Sequence, residues 1–142
     1  MAVAVFHTRS VQGEITFHRE RTGVRVHATF TKLPGEHGFH IHKAGDMRGE
    51  GCKLACDHFH VGPPCNHGGP PGFKGERHTG DLGNVKVGKY SYFLKELDIE
   101  ELWGRSMIIH ADPDDYGLGG KPDSLTTGHS GKRIACAIIG RG

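Results

Sequence analysis

Apolar and polar residues alternate along this chain in short bursts, with turn residues between them. In VRVHATFTK (24–32), Val24, Val26, Ala28 and Phe30 take one side, and Arg25, His27, Thr29 and Thr31 take the other. A period of two is the mark of a strand with one face buried. AVAVFHT (2–8) and EITFHRE (14–20) read as strands around a VQG turn. LPGEHG then turns the chain into HGFHIH, where Phe39 and Ile41 would face a core while His40 and His42 point the other way. LGNVKV (82–87), YSYFLKEL (90–97), RSMIIHAD (105–112, ending as a strand on His110) and RIACAII (133–139) continue the strand pattern. LDIEELW (97–103) fits a helical turn or a strand equally. Residues 43–80 and 111–132 follow no period and are rich in Gly, Pro, Cys and His. About eight short strands and two long loops predict an all-β antiparallel sandwich or flattened barrel. Loops this long in a small domain are disordered or functional, and these have the composition of ligands.

Composition narrows the classes. The 142 residues fit one domain spanning 1–142, and 23 glycines with seven prolines favour turns over helices. A net charge of +2 with dispersed Lys and Arg gives no support for nucleic-acid binding. No apolar run nears the ~20 residues needed to cross a bilayer. The start, MAVAVFHTRSVQG, lacks a charged segment followed by a long apolar one. A soluble, cytoplasmic protein is therefore expected.

Histidine is the outlier, with twelve residues. His40 and His42 share a strand face, His58, His67 and His78 sit in the first loop, and His110 ends a strand. Asp81 lies three residues after His78 across Gly80. Imidazole suits copper and zinc, and a carboxylate beside imidazoles favours zinc over copper(I). Taken singly, His67 reads as a solvated loop residue, Asp81 as turn chemistry and His110 as a satisfied structural histidine. Together they point to a metal site. The four cysteines, 52, 56, 65 and 136, contain no C-x-x-C pair and permit three complete pairings.

HGFHIHKAGD, GC…DHFH, NHGGP, ERHTGDLGN, IIHADPDDYGLGG and GKRIACAIIG occur in the order and near the spacing of the copper/zinc superoxide dismutases. The chain resembles that family over nearly its whole length. The resemblance implies a Greek-key barrel with copper at His40, His42, His58 and His110, and zinc at His58, His67, His78 and Asp81. His58 would bridge the two cations, and His60, in the unusual sequence DHFH, would compete for that role. Asp114 resembles the carboxylate that links copper- and zinc-binding histidines, and His37 a histidine that ties loops together. Cys52 and Cys136 match the family disulfide. Cys56 and Cys65 are extra, either free thiols or paired with each other, and Cys56, four residues from Cys52, is also placed for a swapped pairing. His7, His18, His27 and His129 are expected as surface or strand-face residues.

The implied activity is disproportionation of superoxide to oxygen and hydrogen peroxide, in antioxidant defence. His58 and Arg133 would be catalytic: Arg133 holding the anion, His58 taking a proton and passing it to the departing peroxide. Asp123 resembles the acidic rim. Thr126 stands where the family often has a guiding lysine, with Lys132 or Lys121 expected to compensate. The loop between His58 and His78 is slightly longer than usual and the segment Val85–Met107 shorter. A homodimer is expected, with Arg141 near the partner, and a copper chaperone is a further expected partner. Two other functions fit parts of the pattern: a copper chaperone with a dismutase-like domain, and a non-catalytic zinc or storage module.

Overall fold

The computed structural model describes residues 1–142. Nine strands form: β1 (Ala2–His7), β2 (Gln12–Glu20), β3 (Gly23–Lys32), β4 (His37–His42), β5 (Asp81–Val85), β6 (Gly88–Lys95), β7 (Ser106–His110), β8 (Arg133–Ile138) and β9 (Gly140–Arg141). Two antiparallel sheets result, one in the order β6-β3-β2-β1-β9, the other β5-β4-β7-β8. The chain leaves the first sheet after β3, forms β4 and β5 in the second, returns as β6 beside β3 and crosses back as β7 beside β4. That is the Greek-key path. β1 packs against β8 at one side, and β5 meets β6 at the other, so the sandwich is nearly closed.

The alternation in β3 holds throughout: Val24, Val26, Ala28 and Phe30 are buried in one core with Ile15, Phe17, Phe39 and Ile41. β4 differs in being buried on both faces. Its Phe39 and Ile41 enter the core, while its histidines turn to the loops. The strand count exceeds the expected eight through the two-residue β9, which pairs with Ala2 and Val3. Residues 97–103 settle as a 3-10 turn, Ile99–Leu102, because it buries Ile99 and Leu102 three apart. The second loop, expected to be irregular, holds one helical turn, α1 (Ser124–Thr127), ended by Gly128 in the left-handed conformation.

Two anchors fix the first loop. Residues 57–59 fold back along β4: the backbone N–H of Phe59 donates to Ile41 (2.8 Å) and that of Lys43 to Asp57 (2.9 Å). Phe59 thereby enters the core while His58 stays on the other side. The second anchor is a disulfide between Cys52 and Cys136, 84 residues apart, tying the loop to β8. Cys56 and Cys65 are thiols. In the chain-entropy view a cross-link of that span stabilises by about 4–5 kcal/mol. Cys136→Ser is expected to lose stability of that order, read as a lower denaturant midpoint; an unchanged midpoint would refute it.

Candidate metal centre

Six histidines and one carboxylate converge between the second sheet and the two loops. His40, His42, His58 and His110 are buried, and each can offer one ring nitrogen with all four atoms within 4.8 Å of one another. The unpartnered buried imidazole nitrogens are His40 Nδ1, His42 Nε2, His58 Nε2 and His110 Nε2, joined by His78 Nδ1. Buried polar atoms normally have partners. The first four converge on one place and fit a cation that takes their lone pairs, while His78 Nδ1 faces Asp81. Burial is the main influence lowering the basicity of His40, His42, His58 and His110, with His110 brought down to about 4. Neutral rings are the ligating form.

Beside them lies a group centred on Asp81. Its Oδ2 accepts two backbone N–H bonds, from Gly68 (3.0 Å) and His78 (2.7 Å). Its Oδ1 faces His58 Nδ1 at 2.9 Å, His67 Nδ1 at 3.0 Å and His78 Nδ1 at 3.5 Å. Burial opposes the charge on Asp81, but the hydrogen bonds from the His58 and His67 rings, with His78 close by, prevail and hold its carboxyl well below the usual range. His67 is the reverse: burial lowers it, and Asp114 and Asp81 outweigh that and push it up to about 9. The quartet here with ligand atoms within 4.8 Å of one another is His40, His58, His67 and Asp81; His78, expected in its place beside Asp81, has Nδ1 3.5 Å from Asp81 Oδ1. His40 is already engaged on the other side, because its Nε2–H donates to Asp114 (2.6 Å) and its Nδ1 joins the first group. His78 has a free Nδ1 toward Asp81, its Nε2–H donating to the Cys65 carbonyl (2.9 Å).

The outer nitrogens show how the rings are held. Asp114 receives His40 on Oδ2 and His67 Nε2 on Oδ1 (2.8 Å), so it couples the groups. His42 Nδ1–H donates to the Cys56 carbonyl (2.7 Å) and His110 Nδ1–H to Gly131 (3.1 Å). Of the six rings, His58 alone has both nitrogens aimed inward: Nε2 in the first group, Nδ1 at Asp81. His60, the rival, turns Nδ1 to Thr79 and Nε2 to the Pro63 carbonyl. His37 lies outside the cluster and ties the turn at Pro34 to the end of β7, with ring nitrogens 2.6 Å from the Pro34 carbonyl and 2.7 Å from that of His110.

Asn84 and Arg77 are not singled out by the sequence. Asn84 brackets Asp114, its Nδ2 donating to the Asp114 carbonyl and its Oδ1 accepting the Asp114 N–H. Arg77 donates to the carbonyls of Gly69, Thr79 and Asp81 and so braces the loop. Gly128 is a third such position. Its φ is +76°, and a Cβ there would lie 2.1 Å from Asp114 Oδ1 and 2.5 Å from His67 Nε2. Gly128→Ala is expected to destabilise by about 2–4 kcal/mol, measured by thermal unfolding, and to loosen zinc retention. Wild-type values for both would contradict that packing.

A cavity of about 400 Å³ opens onto His58 and is also lined by Lys43, Asp57, His78, Thr126 and Arg133. Arg133 is clamped by carbonyls: Nη1 donates to Cys52 (2.9 Å) and Nη2 to Cys56 (2.7 Å). The Cys56 carbonyl thus holds both Arg133 and His42. Lys43, unassigned by the sequence, is the lysine in this cavity. Lys132 lies beside Arg133 in an adjoining depression, and Lys121 lines neither. Asp123 precedes α1 and pairs with His129 (2.6 Å).

Comparison with known proteins places these features. The family model described as copper/zinc superoxide dismutase matches residues 11–139. The chain is 41% identical over 140 residues to Superoxide dismutase [Cu-Zn] of Paramecium bursaria Chlorella virus 1, covering 92% of this chain and 73% of that one. It is 40% identical to Superoxide dismutase [Cu-Zn] 2 of Mesembryanthemum crystallinum, covering 98% and 94%. It is also 40% identical to the copper chaperone for superoxide dismutase of Mus musculus, covering 93% of this chain but 49% of the chaperone. The crystal structure of the clock protein EA4 superposes with a TM-score of 0.82 at 38% identity, over 98% of this chain and 92% of that one.

Proposed function

The chain belongs to the copper/zinc superoxide dismutase family, and on that premise we propose that it converts superoxide to oxygen and hydrogen peroxide, an antioxidant activity. The observation that carries this reading is His58, whose two ring nitrogens face two adjoining ligand groups. His40, His42, His58 and His110 would hold copper; His58, His67, His78 and Asp81 would hold zinc. Copper supplies one-electron chemistry when bound, and zinc, which has no redox chemistry, a fixed charge. The protein does the rest. Asp114 and the carbonyls of Cys56, Gly131 and Cys65 fix the rings. Arg133, a permanent planar cation held at the cavity wall, orients the anionic substrate. His58 lines the cavity, and its Nε2, when not ligating copper, would carry the proton that the departing peroxide needs.

A superoxide assay on protein loaded with both metals tests the reading. Rapid, copper-dependent decay of superoxide is expected; no activity after verified loading would contradict it. Copper transfer to a second protein with little dismutation would instead favour the chaperone role suggested by the mouse relative. The complete four-histidine group with Arg133 beside it favours the enzyme, since transfer needs neither.

The same reading includes a single domain, a cytoplasmic setting, copper delivery by a chaperone and a homodimer. Val5 on β1 and Ile134 and Ile138 on neighbouring β8 are 56%, 46% and 49% exposed, an apolar edge that a second copy would cover. Sedimentation should give twice the chain mass; a monomer at micromolar concentration would refute the dimer.

Lys43 adds to the field of Arg133 at the cavity. Lys43→Glu is expected to lower kcat/KM several-fold at low ionic strength, the deficit shrinking as salt screens it. A salt-independent rate in the wild type would remove steering from the account.

A further inference from the structure

We propose that Cys65 and His60 form a docking site for a zinc-type divalent cation on the cavity wall, ahead of the buried ligand groups. The inference rests on the metal-centre reading and needs nothing from superoxide chemistry. Neither residue belongs to the two buried ligand groups, and both line the cavity that reaches His58 and His78.

Geometry is the first argument. Cys65 Sγ and His60 Nε2 are 3.4 Å apart. A tetrahedral ion with zinc–sulfur and zinc–nitrogen bonds of about 2.3 and 2.0 Å sets its donors about 3.5 Å apart. A two-coordinate linear ion would need about 4.3 Å with the same bonds. The pair therefore suits a tetrahedral cation without moving either residue far. Position is the second argument. The His60 and His78 rings are 5.5 Å apart, and His78 Nδ1 is one of the unpartnered nitrogens. The Cys65 carbonyl accepts the Nε2–H of that same His78. A cation held at Cys65 stands next to the ring that would receive it.

In the resting pair both donor atoms carry a proton that binding displaces. His60 Nδ1 accepts the Thr79 N–H (3.1 Å), so its Nε2 carries the ring proton, toward the Pro63 carbonyl. The Cys65 thiol donates to the Arg77 carbonyl (3.4 Å). Binding replaces the S–H bond by S–Zn and releases one proton to solvent; no electron moves. The imidazole proton moves to Nδ1, so the ring gives up its bonds to the Thr79 N–H and the Pro63 carbonyl and donates instead to Thr79 Oγ1, 3.3 Å away. Two protein donors leave two positions to water, so the ion is held loosely and can leave. A thiolate and an imidazole also prefer zinc to magnesium or calcium.

Cobalt(II) is the probe, because zinc is spectroscopically silent. Protein first loaded with copper and zinc is titrated with Co²⁺. One further equivalent should bind with a thiolate-to-cobalt band in the near ultraviolet. Cys65→Ser should abolish the band, His60→Gln should weaken Co²⁺ binding at least tenfold, and Cys56→Ser should change neither. No thiolate band, or a band lost with Cys56, would overturn the site. Zinc uptake by the metal-freed full chain supplies a second readout. It should slow several-fold in Cys65→Ser, and an unchanged rate would overturn the transfer role. Dismutase activity of the same preparations reports separately on the proposed function, so an inactive protein with the band intact leaves this inference standing.

Discussion

His58→Ala is expected to reduce dismutase activity at least a hundredfold while leaving the sandwich folded. Every other ring in the cluster spends one nitrogen on a carbonyl or on Asp114, and can serve one cation only. His58 spends none. Its removal takes a ligand from both groups at once and the proton carrier from the cavity. Losing a general acid alone typically removes 10²–10⁴-fold. Fold should survive because the backbone of 57–59 is pinned to β4 by main-chain bonds that do not involve the imidazole. The check is kcat/KM beside circular dichroism and metal content. Activity within a few-fold of wild type would transfer the bridging role to His60, which the present geometry turns away.

Stripping the metals with a chelator is expected to lower the thermal midpoint by about 15 °C or more. Ligand binding to the folded state alone stabilises it by mass action, and a loss of about 5 kcal/mol in a chain this size shifts the midpoint by roughly that amount. Without cations, five buried ring nitrogens have no partner, each an unpaired polar group costing about 1–3 kcal/mol. One compensation is built in. His67, pushed up to about 9 between Asp81 and Asp114, carries a proton at neutral pH and replaces part of the missing charge. The metal-free chain should therefore keep its sheets and loosen in residues 57–81 and 111–131, seen as faster amide exchange there. Calorimetry with and without chelator decides it; an unchanged midpoint would contradict the account.

Periodic positions are the legible part of the sequence. β3 follows its alternation residue by residue, and the division of β4 into Phe39/Ile41 and His40/His42 follows from the same period. The long loops are recognisable by composition, but not the way they fold. A backbone carbonyl has no sequence signature, so the acceptors at Cys56, Gly131 and Cys65 cannot be read from residue types. Asn84 and Arg77 look like ordinary turn and loop residues until Asp114 and Asp81 stand beside them. α1 is one turn long, shorter than the period that would reveal it. Lys43 reaches the cavity because the chain after β4 turns back there, whereas Lys121, sequentially nearer to Thr126, does not line it.

The central claim is that two cations share His58. Crystals of the metal-loaded protein, measured at wavelengths on either side of the copper and zinc absorption edges, test it directly. Two anomalous peaks per chain are predicted, about 6 Å apart by the ring's width and two metal–nitrogen bonds, with the His58 imidazole between them. A single peak, or two peaks with no common ligand, would contradict it.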